Sequence, residues 1–577
     1  MRILFGRARA RLTALLPGRR DVVDMRRGPR RDLLAGLTVA IVALPLALGF
    51  GVSSGLGAQA GLATAVVAGA LAAIFGGSNL QVSGPTGAMT VVLVPIVAQH
   101  GPSGVLTVGL MAGGILVALA VLKAGKYMQY VPAPVVEGFT LGIACVIGLQ
   151  QIPNALGVSR PEGDRVLVVT WRALDEFAHR PNWTALALAV AVAAVMLIGA
   201  RWRPTIPFSI LAVIAATVVT QVAGLTSAKP IGDLPSGLPA PSLAFLDLGS
   251  LGTLIAPAVA VAALAALESL LSAAVADGMT VGQQHDPDRE LFGQGLANIA
   301  APLFGGVPAT GAIARTAVNV RTGAGSRLAA LTHAAILAVI VFAAAPLVSK
   351  IPLAALAGVL LATAIRMVEV GSLRAMVKAT RSDALILVLT AVATLALDLV
   401  YAVIIGLIVA GALALRAVAK EARLEEIPLD RGDHSVEEHA LLAEHIVAYR
   451  IDGPLFFAAA HRFLLELAEV ADVRVVILRM SRVTTIDATG ALVLKDAVEK
   501  LARRGIVVMT SGIRPGQRQV LESVGALELL RLQGREFATT PEAIQGARAH
   551  LESAGVMRPV PAQTSRPVSA ETEETVG

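Results

Sequence analysis

Apolar residues dominate the chain in blocks of spanning or near-spanning length, at 33–52, 58–75, 80–99, 104–122, 134–152, 184–200 and 206–223 in one half. The other half repeats them at 251–275, 291–303, 310–320, 328–348, 352–368, 383–399 and 401–418. A helix needs roughly 20 apolar residues to cross about 30 Å of hydrocarbon. The pattern therefore predicts a polytopic α-helical membrane protein with fourteen crossings, seven in each half. Between Leu33 and Leu122 there is no Lys, Arg, Asp or Glu at all, a stretch that no water-exposed surface would tolerate.

Two of these blocks are interrupted. Phe304 to Val320 reads FGGVPATGAIARTAVNV, with too few apolar residues after Thr310 to cross a bilayer, so a helix is expected to start there partway through the membrane. Unpaired backbone at that depth is tolerated only where it lines a cavity, and a helix N-terminus directs free N–H groups and its positive dipole end into that cavity, a seat for an anion. The phrase recurs. Phe75-Gly76-Gly77 with Pro85-Thr86-Gly87-Ala88-Met89 echoes Phe304-Gly305-Gly306 with Pro308-Ala309-Thr310-Gly311-Ala312-Ile313. Paired Gly/Pro-interrupted segments in corresponding positions of two halves point to a midplane binding site in an inverted repeat. The residues thus imply an anion transporter.

Charge orients the spans. With the N-terminus inside, Lys123/Lys126, Arg201/Arg203, Arg321/Arg327, Arg374/Lys378/Arg381 and Arg416/Lys420 fall on the cytoplasmic side, and only Lys229 and Lys350 lie in short outer loops. The outer loop from Pro153 to Asn182 mixes both signs. Residues 1–32, rich in Arg and without a cleavable apolar core, read as a cytoplasmic arm. The net charge of +7 suits a cytoplasmic membrane face better than nucleic acid, because the basic residues sit beside spans without aromatic interleaving. The single cysteine, Cys145, excludes an intramolecular disulfide and is expected to be a small buried apolar residue.

Beyond Lys420 charges return. Val447–Ile451, Val473–Leu478 and Ile506–Ser511 have the look of short buried strands, alternating with helix-patterned runs at Ala458–Val470 and Gly490–Ala502. That alternation predicts a cytosolic α/β domain. The expected organisation is an arm (1–32), a membrane domain (33–420), a linker (421–436), the α/β domain (437–556) and a disordered tail (557–577) rich in Pro, Ser, Thr and Glu.

Within the spans, Glu268 is the only charged residue between Asp247 and Asp277. An ionisable group at that depth is functional by default, and facing a cavity it could take up a proton or bind a cation, Na+ included, to offset an incoming anion. Ser272 falls one turn on, on the same helical face. Arg315, about a turn past Thr310, is expected to lend positive charge to the anion pocket, and Thr86 and Thr310 to supply hydroxyl donors. Arg366, Glu369 and Asp398 fall near predicted span ends and read as interfacial. His285, His445 and His461 read as surface residues. The soluble part contains no Ser/His/Asp, Cys/His or metal-ligand grouping, so neither an enzyme nor a cofactor is expected.

Four stretches carry a resemblance: DLLAGLTVAIVALPLALGFG from Asp32, QVSGPTGAMT from Gln81, the run from Glu268 through GQGLANIAAPLFGGVPATGAIART to Thr316, and DLVYAVIIGLIVA from Asp398. With them the chain resembles the SulP sulfate permease family of anion transporters, and its soluble part resembles a STAS domain, with Asp487-Ala488-Thr489-Gly490 at the D-S-[ST]-G strand-to-helix turn. The resemblance implies two inverted repeats, a core domain moving against a gate domain, and an anion held between the N-termini of spans 3 and 10. By motif match that pocket falls on Thr86, Gly87 and Ala88 and on Gly311, Ala312 and Ile313, and Glu268 stands at the family's acidic position on span 8. It also implies a homodimer and a cytosolic partner for the STAS domain. Ala488 replaces the phosphoryl-accepting serine, although Thr489 keeps a hydroxyl nearby. Leu46 after Pro45 points toward the bicarbonate-type bacterial branch rather than sulfate, and Glu268, Ser272 and Ile313 depart from the sodium-coupled pattern, which favours protons.

The expectation is a secondary transporter of bicarbonate or sulfate in the inner membrane, coupled to protons or sodium through Glu268. An uncoupled chloride-type exchanger, a nucleobase symporter of similar architecture and an anion-responsive scaffold acting through the STAS domain are the rivals.

Overall fold

The computed structural model describes residues 15–159, 161, 163, 165–203, 206–397, 399–421, 423–427, 444–456, 473–531 and 534–556. The expected helix at 458–470, Asp398, His461 and the tail from 557 lie outside the described residues, as does most of the linker. The chain divides into two units, residues 1–410 and 411–577.

The membrane unit is almost wholly helical. It opens with α1 (Arg19–Arg27), α2 (Pro29–Ser53), α3 (Ala58–Phe75), a two-residue strand β1 (Ser83–Gly84) and α4 (Gly87–Val121). Then come α5 (Ala133–Leu156), α6 (Val166–His179), α7 (Trp183–Trp202), α8 (Phe208–Val222), α9 (Leu251–Gly278), α10 (Pro287–Leu303), strand β2 (Thr310–Gly311) and α11 (Ile313–Arg321). The unit closes with α12 (Leu328–Ala343), α13 (Leu353–Met367), α14 (Val370–Ala379), α15 (Arg381–Ala396) and α16 (Leu399–Glu421), the last running on into the second unit. Each apolar run in the sequence lies wholly or mostly on one of these helices, with 80–99 and 310–320 also taking in the two short strands and 80–99 and 104–122 sharing α4. Eight helical segments among the described residues are long and apolar enough to cross a membrane by length and composition, and α8 and α12 are shorter apolar helices. α4 is two helices joined at Gly101, whose φ of 67° breaks the helical path just before Pro102.

Lipid tails are as apolar as leucine, so these helices associate by close fit rather than by the hydrophobic effect. The chain supplies small residues at the contacts. A Cβ on Gly51 would lie 2.9 Å from the Gly61 Cα, and one on Gly113 would lie 2.7 Å from the Gly295 carbonyl and from the Ile299 nitrogen. Side chains of α4 (Leu93, Val108, Leu116) interlock with Val261 of α9 and Phe292 of α10. A second core joins α2 and α3 to α7, α8 and α13 through Leu48, Leu62, Val192, Val213 and Leu360. Cys145 corrects the sequence expectation, because it is exposed on α5. In lipid, an outer surface is as apolar as a core, so residue type does not separate the two.

The arm is tied down by charge. Asp21 on α1 is buried, accepts 2.7 Å and 3.3 Å hydrogen bonds from Arg289 and lies 3.1 Å from Arg327 Nε. Burial alone would raise its pKa, but the bonds from Arg289 and the Gly18 N–H, with the Arg327 charge, outweigh that and hold the carboxyl below its ordinary value.

The second unit is α/β. A sheet runs β3 (Arg423–Ile427), β4 (Ile446–Leu455), β5 (Val475–Arg479), β7 (Val507–Ser511), β8 (Glu536–Phe537), with β6 (Val483–Ile486) paired to β4; β3 is antiparallel to β4 and the other pairings are parallel. Helices α17 (Ala488–Arg503), α18 (Pro515–Ser523), α19 (Ala526–Arg531) and α20 (Thr540–Ser553) accompany it. Val476, Leu478 and Val508 pack against Leu494 and Leu501 of α17. Asp487 caps α17 by accepting the Gly490 N–H at 2.7 Å. A Cβ on Gly490 would overlap the Leu455 carbonyl, Thr489 is exposed, and Ala488 begins the helix.

Candidate functional site: two half-helices meeting at a strand crossing

The two repeated phrases meet. Strand β1 pairs antiparallel with β2, Ser83 opposite Gly311 and Gly84 opposite Thr310, and each strand turns within three residues into a helix, α4 at Gly87 and α11 at Ile313. The second half-helix thus starts three residues later than Thr310, where the sequence put it. Gly311 is required by this crossing, since a Cβ there would overlap the Gln81 carboxamide and sit 3.0 Å from the Ser269 Cα.

The first half-helix is capped. Thr86 Oγ1 accepts the Met89 N–H at 3.4 Å and donates to Glu268 Oε2 at 2.9 Å, joining α9 to the start of α4. Gly87 and Ala88 supply the remaining N–H groups of that first turn, which a helix cannot satisfy itself. Gly87 lies under Ile147 and Phe50, whose side chains a Cβ would meet. The second half-helix has Ala312 at its cap position, without a side chain to bond the turn, and its Ile313 is 38% exposed.

Arg315 takes an unexpected place. Its side chain is only 2% exposed, and it runs behind the crossing so that Nη2 donates to the Pro85 carbonyl at 2.8 Å. Its Nη1 is buried without a hydrogen-bond partner among the described residues, close to the Cα of Gly84, where a Cβ would lie 2.7 Å from it. The guanidinium therefore links the second half-helix to the residue before Thr86 instead of reaching out to solvent. Ser272 is fully buried but does not join Glu268; it bonds Thr316 Oγ1 at 3.0 Å, and that hydroxyl accepts the Val82 N–H.

Sequence reasoning missed the residues that hold the crossing. Ser269 Oγ accepts the Gly311 N–H at 2.9 Å and lies 3.1 Å from Thr310 Oγ1. On α10, Glu290, Gln294 and Asn298 recur every four residues and so form one buried polar stripe. Glu290 accepts the N–H groups of Gly77 and Ser78, and Gln294 donates to Ser83 Oγ and Glu290. Asn298 pairs with Ala309 both ways, its Oδ1 accepting and its Nδ2 donating at 2.8 Å. Three polar residues at that spacing within an apolar block were the available signal. His285, expected at the surface, is mostly buried with Nδ1 2.7 Å from Asp277. Arg366 and Glu369 are exposed.

A carboxylate against the cap of a half-helix can exchange a proton or coordinate a cation with the Thr86 hydroxyl, and uncapped amides nearby can bind an anion. No group of three or more His, Cys, Asp or Glu side chains fit to hold a metal occurs among the described residues.

A model of the sulfate permease family matches residues 30–390. The chain belongs to that family. A STAS-domain model matches residues 440–543. The chain is 35% identical over 506 residues to the putative sulfate transporter YvdB of Bacillus subtilis, covering 86% of this chain and 94% of the relative. It is 32% identical over 510 residues to the bicarbonate transporter BicA of Synechocystis, covering 85% and 90%. In structure it is similar to the transmembrane domain of a cyanobacterial BicA, at 32% identity and a TM-score of 0.59, covering 67% of this chain and 98% of that one. Murine solute carrier 26 member A9, an anion transporter in its inward-facing state, shares the fold at 16% identity and a TM-score of 0.81, covering 94% and 95%. The chain is a multi-pass membrane transporter of this family and not an enzyme.

Proposed function

We propose that this chain is a secondary active transporter of bicarbonate or sulfate in the inner membrane, working by alternating access and coupled to protons or sodium through Glu268. The observation that carries the reading is the 2.9 Å bond from Thr86 to Glu268 at the mouth of a half-helix whose counterpart starts across the strand crossing. Anion charge would be held by the amides of Gly87, Ala88 and Ile313 around Thr86, Thr310, Gly311 and Ala312, with Arg315 adding positive charge from behind. An ionised Glu268 opposes that anion; protonation or a bound cation removes the opposition, and this is the coupling. Thr86 and Glu268 would hold the cation, should it be sodium. The remaining organisation follows the same proposal: fourteen crossings in a 7+7 repeat, both termini cytoplasmic, domains at 33–420 and 437–556 with β3 from the expected linker adding a strand to the second, a homodimer, and a cytosolic ligand at the Asp487–Gly490 turn.

The test is uptake of labelled bicarbonate and sulfate into proteoliposomes under an imposed proton or sodium gradient, for the native chain and Glu268→Gln. Uptake driven by one gradient and lost in the variant supports coupled symport and names both ions. Gradient-driven uptake unchanged in the variant would refute the role of Glu268.

A further inference from the structure

Helix α1 has two unlike faces. At about 100° per residue, Asp21, Asp24 and Met25 fall on one side, which is buried or half-buried, and Asp21 is held there by Arg289 and Arg327. The opposite side carries Arg19, Val22, Val23 and Arg26, flanked by Arg20 and Arg27, and all six are exposed. Val22 and Val23, 46% and 50% exposed, sit in the middle of the basic face. That surface continues into the first turns of α2, where Arg30 and Arg31 are followed by the exposed Leu33, Leu34 and Leu37 at the start of the first span. Arginines around an apolar strip, followed across the non-helical Gly28 by the exposed leucines at the start of the first span, match the charge and layering of a leaflet with anionic headgroups.

We propose that α1 is a membrane-surface strap, clamped to the transporter through Asp21 and binding anionic headgroups of the leaflet it lies on. That this leaflet is the cytoplasmic one rests on the topology proposed above. Both Asp21 partners stand at the starts of helices, Arg289 in α10 and Arg327 just before α12, and Arg327 also donates to the carbonyls of Ala73, Ile74 and Gly76 at the first FGG turn. The strap thereby ties the headgroup layer to the helices that hold the strand crossing.

The test uses the full chain with Cys145→Ser and Val23→Cys, labelled at position 23 with an environment-sensitive dye and reconstituted into phosphatidylcholine vesicles with or without phosphatidylglycerol. In the anionic vesicles emission should shift to the blue and be quenched by brominated lipid. Quenching should fall about fivefold when Arg19, Arg20 and Arg26 are changed to Gln, and likewise at about 0.5 M salt. Equal quenching in neutral and anionic vesicles, or none in either, overturns the proposal. A membrane-impermeant aqueous quencher added outside reports the side on which the arm lies, and uptake is read on the same vesicles, so a wrong topology or a wrong transport reading shows separately from a failed lipid contact.

Discussion

The two half-helix starts grow from nearly the same phrase and end in different chemistry. At α4 the cap is a threonine whose hydroxyl serves the Met89 N–H and a carboxylate from α9 at once. At α11 the cap position is Ala312, which has no side chain to bond the first turn, and the guanidinium of Arg315 is directed to the Pro85 carbonyl. The repeat supplies two dipole ends but not two equal sites. In the proposed mechanism both ends lend amides to the anion, the coupling ion is sensed at the first, and the second offers its amides undiminished by a cap.

Six substitutions can break or sharpen that contrast. Gly311→Val should have the largest effect, because the added side chain collides with Gln81 and Ser269 and parts the strands; anion binding measured by calorimetry should vanish, whereas Gly87→Ala, meeting only side chains of Ile147 and Phe50, should weaken it less. Glu268→Gln comes next. Two unit charges roughly 5 Å apart at an effective dielectric of about 20 interact by about 3 kcal/mol, so the variant should bind anion with an affinity that no longer varies with pH, where the native chain changes by up to about a hundredfold; a persisting pH dependence would place the coupling group elsewhere. Ser269→Ala leaves the buried Gly311 N–H without its acceptor, at about 1–3 kcal/mol, and should lower the midpoint of thermal unfolding in detergent as well as anion affinity. The smallest expected effect comes from exchanging the caps. Thr86→Ala removes a cap worth about 1 kcal/mol and should blunt the response to the driving gradient, while Ala312→Ser should weaken anion binding severalfold by engaging amides that the anion otherwise uses. Equal effects of the two on affinity would argue that the ends are equivalent.

Much of this architecture could be read in the linear chain. Runs of apolar residues longer than a soluble surface allows marked the helices, since in lipid every backbone group must be satisfied within a helix. The FGG and TGA repeats marked the two interruptions, and the return of charge after Lys420 marked the α/β unit, whose strands at 446–455, 475–479 and 507–511 lie where alternating apolar runs predicted them. Composition alone also put Glu268 inside a long apolar helix.

Partners were another matter. Helical phasing placed Ser272 with Glu268, but α9 meets the crossing so that Glu268 reaches Thr86 while Ser272 reaches Thr316 and the neighbouring Ser269 takes the Gly311 amide. Phasing gives a direction around one helix axis, and what stands in that direction depends on how other helices pack. For the same reason the direction of Arg315, the exposure of Cys145 and the clamp from Asp21 to Arg289 and Arg327, some 270 to 300 residues away in sequence, were decided only in three dimensions. Sequence by itself determined which segments form long apolar helices, where two of them break and which residue carries a charge within them, because each follows from local composition against a bilayer of fixed thickness. The tertiary structure decided which atoms pair, because those contacts join residues from both halves of the chain, and no local pattern encodes the register at which two halves cross.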